Sequence, residues 1–437
     1  MKQHPLFALL LSCLFVTMTA TSCLRDKCTS TQTYTRFDPI LQKAEAFRKG
    51  VVVESPRSLK KPGKIYVYGQ YLFINERNEG IHVIDNSDPA APKPVVFWNI
   101  IGNVDMAIRG NYLYADQYVD LLTIDISNIQ LPTVVCTRKD AFGLNGFSSD
   151  GSYIVGYTPT EVTQEIDCSD SRSSQTWFAQ EDIVFVNTGV VNTGLFDAGS
   201  SNFSNPQLAY SSDGSGGNVP AGLAGSYARF GLHQSYLYTL DNWLLRSWSL
   251  DDPSCPAAAD SVYTSGNVET IFPWKDRLFL GSPTGLQIFN NSNPAHPVYE
   301  TMFNHATGCD PVVCDNENAY VTIHGGTPCG GNFNQLDIVD IRNLPSAALN
   351  KSYDMKSPMG LAVTDRFLYI CDDGLKIYDK TNPLDLDLKK HYRDIKTYDV
   401  IALNESLLMV IGDDGFYQFD VSNPENMKQL SHIVVEK

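Results

Sequence analysis

Three carboxylates, Asp105, Glu269 and Asp310, stand at the same place in different copies of a repeated sequence unit. Carboxylate oxygens are hard ligands, and three converging on one point would suit Ca²⁺ or Mg²⁺. Lys64 and Arg229 hold that place in two other copies, and Asp399 lies beside Val400, which holds it in the last. Gly146 and Gly360 fill the remaining two. Such a set admits two readings. It could hold a cation or a polar ligand, or it could be a ring of ion pairs around a water-filled channel. Charges at buried strand starts are costly unless they find partners, so convergence is expected either way.

Other chemistry has little support. The chain has no GxSxG, no P-loop, no GxGxxG after a strand and no HExxH. After the first residues, histidines occur at His82, His233, His296, His305, His324, His391 and His432, and no two have helical metal spacing. His324 alone sits in an inserted, Gly-rich segment and is a weak candidate. No CxxC occurs, which argues against thiolate zinc. Asp373-Gly374 and Asp414-Gly415 sit between strands, where a tight hairpin needs Asp-Gly, and are read as turns.

The elements that would position these residues are short strands in tandem. The clearest segment, IHVIDNSDPAAP (81–92), returns as LTIDISNIQLP (122–132), LQIFNNSNPAHP (286–297), LDIVDIRNLP (336–345), LKIYDKTNPLDL (375–386) and FYQFDVSNPENM (416–427). Weaker copies are IVFVNTG (183–189) and RSWSLDDPSCP (246–256). About a dozen residues before the segment stands a second signature, as in QYLFINE (70–76), NYLYADQ (111–117), SYLYTLD (235–241) and RFLYICD (366–372). The motif positions Asp85, Asp125, Asn187, Ser249, Asn290, Asp340, Asp379 and Asp420 are spaced by 40, 62, 62, 41, 50, 39 and 41 residues. A period near 40 with four strands per unit is what a β-propeller blade needs. A residue recurring in every blade organises the blade, so the motif Asp is expected to bind backbone N–H groups of the following turn.

Composition agrees. The 437 residues are 43% hydrophobic and 11% aromatic, with 31 Gly and 23 Pro for turns. The net charge of -16 argues against nucleic acid and against electrostatic docking on an anionic membrane. The expected fold is all-β, a propeller of about eight four-stranded blades over residues 62–437. Seven remain if the third unit is not a regular blade. A short helix is expected from Asp38-Pro39, with Ile40, Leu41, Ala44 and Phe47 on one face and Gly50 as stop.

The third-strand motif, here IHVID, LTIDI, LDIVD and LKIYD, resembles the LVIVD repeat. The resemblance implies an extracytoplasmic β-propeller, of a kind found in many bacterial lipoproteins of unassigned function. It implies no activity.

The N-terminus gives an address. Leu6 to Ala20 is nearly continuous apolar sequence, too short for a comfortable span, as in a secretory signal. Ala20-Thr21-Ser22-Cys23 resembles a lipobox, which would put lipid on Cys23, although the usual Leu three residues earlier is missing. The expected organisation is a signal over 1–22, a lipid-tethered linker with the helix over 23–61, and the propeller. This places the protein in the envelope of a Gram-negative-type bacterium as an outer-membrane lipoprotein, facing either the periplasm or the outside.

Extra length falls at 157–180, 188–225 and 324–335. In a propeller these loops open on one face, and clustered insertions commonly build a binding face. Cys309 and Cys329 should reach that face, and a bridge between them would contribute about 2 to 4 kcal/mol. Cys136 with Cys168 is a weaker pairing, and Cys314 and Cys371 read as small buried hydrophobes. The leading expectation is a non-enzymatic scaffold whose insert-bearing face engages an envelope protein or glycan, with no cofactor. The alternatives are a Ca²⁺-dependent hydrolase or lactonase with its site at the channel mouth, and a purely structural envelope protein.

Overall fold

The computed structural model describes residues 29–142, 150–167, 228–241, 243–265, 268–306, 308, 311–325 and 333–436. Among them are seven antiparallel blades, each built of four consecutive strands; the sheet of the first carries a fifth strand, Val52–Glu54, paired with its outer strand. They cover 62–99, 106–138, 230–263, 270–304, 312–354, 358–392 and 399–434, numbered here as blades 1 to 7. The inner strands are Pro62–Tyr68, Met106–Arg109, Phe230–His233, Thr270–Trp274, Val312–Cys314, Pro358–Val363 and Asp399–Ala402. From blade 1 to blade 7 each inner strand neighbours the next.

The second strands show why the blades stack. In YLY-type segments both the Leu and the following aromatic are buried: Leu72 and Phe73, Leu113 and Tyr114, Leu237 and Tyr238, Leu368 and Tyr369. Successive side chains point to opposite faces of a strand, so both faces of each sheet must be covered. Neighbouring blades cover them. The outer strands are largely exposed, as in Ala348–Asp354. In all seven blades the pairing of the third strand with the outer one carries a register shift at the same place. Bulges of this kind add local twist.

The motif residue does what its recurrence predicts. Asp85, Asp125, Asn290, Asp340, Asp379 and Asp420 each accept the N–H two residues on at 2.8–3.0 Å. Ser249 does the same through its hydroxyl at 3.1 Å. The turn needs a short side chain with an acceptor, not a charge.

The count is seven, not eight. Asp105 of blade 2 and the start of blade 3 are in direct hydrogen-bond contact, and Phe142 stacks on Phe230 at 5.7 Å. No further blade fits between them. From the third sequence unit, Tyr153–Asp167 forms one long strand that pairs with Thr29–Gln42 in a two-stranded sheet. The motif copy at 183–189 and Gly146 lie outside the described residues.

The expected helix is also corrected. Of the expected segment only Ala44–Phe47 is helical, and Asp38 and Pro39 belong to the strand Thr29–Gln42. Asp38 does not cap a helix. Its carboxylate takes Arg36 and the Thr160 hydroxyl, at 2.8 and 2.9 Å, and these contacts lower its pKa. The Thr- and Tyr-rich sequence before it favours strand. Phe47 is fully buried beside Tyr118, Tyr153 and Val155, whereas Ile40 and Leu41 stay exposed. Arg48 anchors this turn with a two-point ion pair to buried Asp120, at 2.6 and 2.8 Å. Of the described residues, 29–38 and 158–167 belong to a compact unit of their own. Within it Thr33 and Thr163 hydroxyls are hydrogen-bonded at 3.0 Å.

Closure joins blade 7 to blade 1. Leu59 and Val435 form a parallel bridge, and Glu436 N–H donates to the Leu59 carbonyl at 2.8 Å. The Asn86 and Gln418 side-chain amides bond each other reciprocally at 2.9 and 2.7 Å. The Tyr398 hydroxyl reaches the Pro62 carbonyl at 3.2 Å.

Candidate functional site at the channel

The inner strands bring most of the expected residues to one end of the channel. Lys64 belongs to the inner strand of blade 1, Asp105 precedes that of blade 2 and Arg229 precedes that of blade 3. Glu269 precedes the inner strand of blade 4, and Asp399 opens that of blade 7. Lys64, Asp105, Glu269 and Asp399 are all buried. Asp310 lies outside the described residues.

Asp105 is the hub of the described part. Its Oδ2 accepts the Lys64 ammonium, the Arg229 N–H at 2.6 Å and the Phe230 N–H at 3.0 Å. Its Oδ1 accepts the Met106 N–H at 2.7 Å. One carboxylate therefore ties three blades together. Burial pushes the Lys64 ammonium's pKa down, and the attraction of Asp105 opposes that shift. Burial pushes the Asp399 carboxyl well above the usual range; a bond from the Val400 N–H and the charge of Lys64 act against it.

Asp116, which was not among the expected residues, belongs to the same cluster. It ends the YLYAD run of blade 2 and is 3% exposed. Its Oδ1 accepts the N–H groups of Val104 and Asp105 and the Asn103 amide at 2.8–2.9 Å. Burial raises its pKa to about 6. Glu76 and Asp372, at the ends of the second strands of blades 1 and 6, hold the backbone ahead of their own inner strands in the same way. The cue was present: an acid closing the YLF or FLY segment.

These contacts bear on the metal reading. Asp105 spends both oxygens on protein donors. Among the described residues no group of three His, Cys, Asp or Glu side chains is placed to hold a metal. The described part of the cluster is an inter-blade network of ion pairs and N–H donors.

A family model for the LVIVD repeat matches residues 61–96, 103–137 and 328–355. These stretches fall in blades 1, 2 and 5 and carry the motif strands there. The chain is a seven-bladed β-propeller that carries LVIVD repeats.

No curated protein matches the sequence. Among solved structures, the propeller is similar to a functionally unknown protein from Desulfotomaculum acetoxidans, at 10% identity over 85% of this chain and 95% of that one, with a TM-score of 0.46. A protein from Lactobacillus plantarum is 9% identical over 86% and 96%, with a TM-score of 0.48. A periplasmic gluconolactonase from Pseudomonas aeruginosa is 11% identical over 86% and 96%, with a TM-score of 0.44. Likeness at this level carries no argument about activity.

The LVIVD propeller has one disulfide among its described residues, and it is not an expected pair. Cys136, in the outer strand of blade 2, is bonded to Cys255, in the turn before the outer strand of blade 3, across a Cα separation of 5.2 Å. This bridge replaces the weaker expected pairing of Cys136 with Cys168; Cys168 lies outside the described residues, as do Cys23, Cys309 and Cys329. Cys314 and Cys371 are buried thiols, and burial pushes both pKa values well up, in keeping with their reading as core residues. Asp373-Gly374 and Asp413-Asp414 are two-residue hairpin loops, with Gly415 opening the next strand. A Cβ on Gly415 would stand 2.2 Å from the Ile433 carbonyl. His324 is half-buried, and burial lowers its pKa.

At the opposite end of the inner strands lies a cavity of about 370 Å³, walled by blades 4 to 7. A cleft of about 480 Å³ opens between blades 1 and 2, under Tyr68, Tyr71 and Phe73.

Proposed function

We propose that this LVIVD propeller is an envelope lipoprotein, held at the outer membrane by lipid on Cys23, that works as a non-enzymatic interaction scaffold. Its working surface is the face where second strands pass to third strands and outer strands pass to the next blade. The observation that carries this reading is where the excess chain leaves the ring. In an antiparallel four-stranded blade those two kinds of connection open on one face. The segment 139–229 joins blade 2 to blade 3, and 324–334 joins the second and third strands of blade 5. Both longest connections therefore belong to one face, and the partner is an envelope protein or a glycan.

Two further points favour it. The buried carboxylate of Asp105 is occupied in holding blades together, which leaves it no part in turnover. The Cys136–Cys255 bridge suits an oxidising compartment.

The test has two arms. Radiolabelled palmitate should enter the wild type and fail to enter Cys23→Ala, which should also leave the membrane fraction. Photo-crosslinkers at Ser200 and Thr327 should capture one and the same envelope partner in cells, while those at Ser127 and Asn423, in turns of the other face, should not. Equal capture from both faces, or an unlabelled soluble wild type, would overturn the proposal.

A further inference from the structure

The cavity on the other face is independent of that reading. Its floor is apolar, formed by Phe272, Val313, Leu361 and Val400, all buried. Phe272 stacks on Trp274, with ring centroids 6.3 Å apart, and Trp274 lines the wall half-exposed. The charged lining residues are Asp315, Asp365 and Glu405; among the described residues no Lys, Arg or His lines the cavity. Lys380 reaches Asp315 from behind the wall at 2.9 Å, which leaves Asp365 and Glu405 as the rim. These two are adjacent, for Glu405 accepts the Asp365 N–H at 3.1 Å. Arg366, next to Asp365 in sequence, is committed to Asp379. Lys275, next to Trp274, is not a lining residue.

We infer that this cavity binds a small organic ammonium ion with an apolar or aryl body. The volume falls within the range of about 300–1,000 Å³ usual for small-ligand sites. Burying the body on the floor supplies the non-directional part of the affinity. An ammonium head at the rim meets two carboxylates, and Trp274, which lines the same cavity, offers the ring type whose face best attracts a cation. A neutral analogue gains only the floor, and an anionic one meets like charge at the rim. The rim charges are solvent-exposed, so their share should fall with salt.

The probe is phenethylamine, with phenethyl alcohol and 3-phenylpropionate as neutral and anionic counterparts, titrated into the whole chain by calorimetry and tryptophan fluorescence. The amine should bind in the millimolar range or tighter and be preferred over the alcohol by about tenfold, the size expected of two exposed charges and one cation–π contact. Asp365→Asn/Glu405→Gln should abolish that preference and leave the weak binding of the alcohol unchanged. Trp274→Leu should weaken the amine and remove the fluorescence response. Glu405→Gln keeps an oxygen acceptor for the Asp365 N–H that joins blades 6 and 7, and an unchanged Tm checks the fold of each variant. No binding of the amine at about 10 mM, equal binding of amine and alcohol, or a double variant that keeps the preference would each overturn the inference.

Discussion

Replacing Cys136 and Cys255 together with serine should cost stability mainly through the unfolded chain. The bridge closes a loop of 119 residues. The chain-entropy relation for a loop of that length gives about 5 kcal/mol at 25 °C. The folded junction has other bonds that the substitutions leave in place. Arg138 donates to the Pro256 and Cys255 carbonyls at 2.6 and 3.3 Å, and the Tyr114 hydroxyl donates to the Pro253 carbonyl at 2.9 Å. Blades 2 and 3 should therefore still meet, and the far-UV circular dichroism should not change. Urea unfolding would then show a loss of about 3 to 5 kcal/mol. It would also show a larger slope, because the unlinked chain exposes more surface when it unfolds. The position of the bridge makes physical sense, since it spans the junction that carries the longest insertion and hence a large loop-closure entropy. An unchanged midpoint would refute the reasoning. So would a lost native spectrum, which would place the effect in the folded state.

Other perturbations have defined outcomes. Asp105→Asn should cost about 3 to 5 kcal/mol in urea, because it leaves Lys64 buried without its counter-ion; adding Lys64→Met should restore part of the loss. Asp116 gives a pH dependence with a fixed sign. Its folded pKa is raised from 3.8 to about 6, so the stability it contributes is complete below 3.8 and is lost as pH rises through 6. Relative to Asp116→Asn, the wild type should lose about 2 kcal/mol between pH 4 and pH 7, and parallel stability profiles would count against this. Gln418→Ala should cost about 1 to 3 kcal/mol by leaving Asn86 unpaired at the seal between blades 7 and 1, read from the thermal midpoint.

The repeat was legible because blade physics is local. A strand of alternating side chains followed by an Asx turn writes its period into the chain, and all seven regular units kept the turn bond, including the two where Ser249 and Asn290 replace the Asp. The third unit misled because its strand pattern is genuine. Tyr153–Asp167 is a strand, but its partner is the N-terminal strand, a choice that strand propensity does not encode. The same pairing claimed Asp38 and Pro39, whose residue types suit a helix start.

The channel residues divide along the same line. Position within a blade placed Lys64, Asp105, Arg229, Glu269 and Asp399 correctly at the starts of inner strands, since that is fixed by register inside a single unit. Which of them touch is fixed by how neighbouring blades pack. Asp105 meets Lys64 and the backbone of blade 3 across separations of 41 and 124 residues. Cys136 meets Cys255 for the same reason. The sequence by itself determined the strands, the turns and the ring. Ring packing decided the partners of the buried charges, the count of seven and the acid-rimmed cavity, because each depends on distances between blades that no local pattern records.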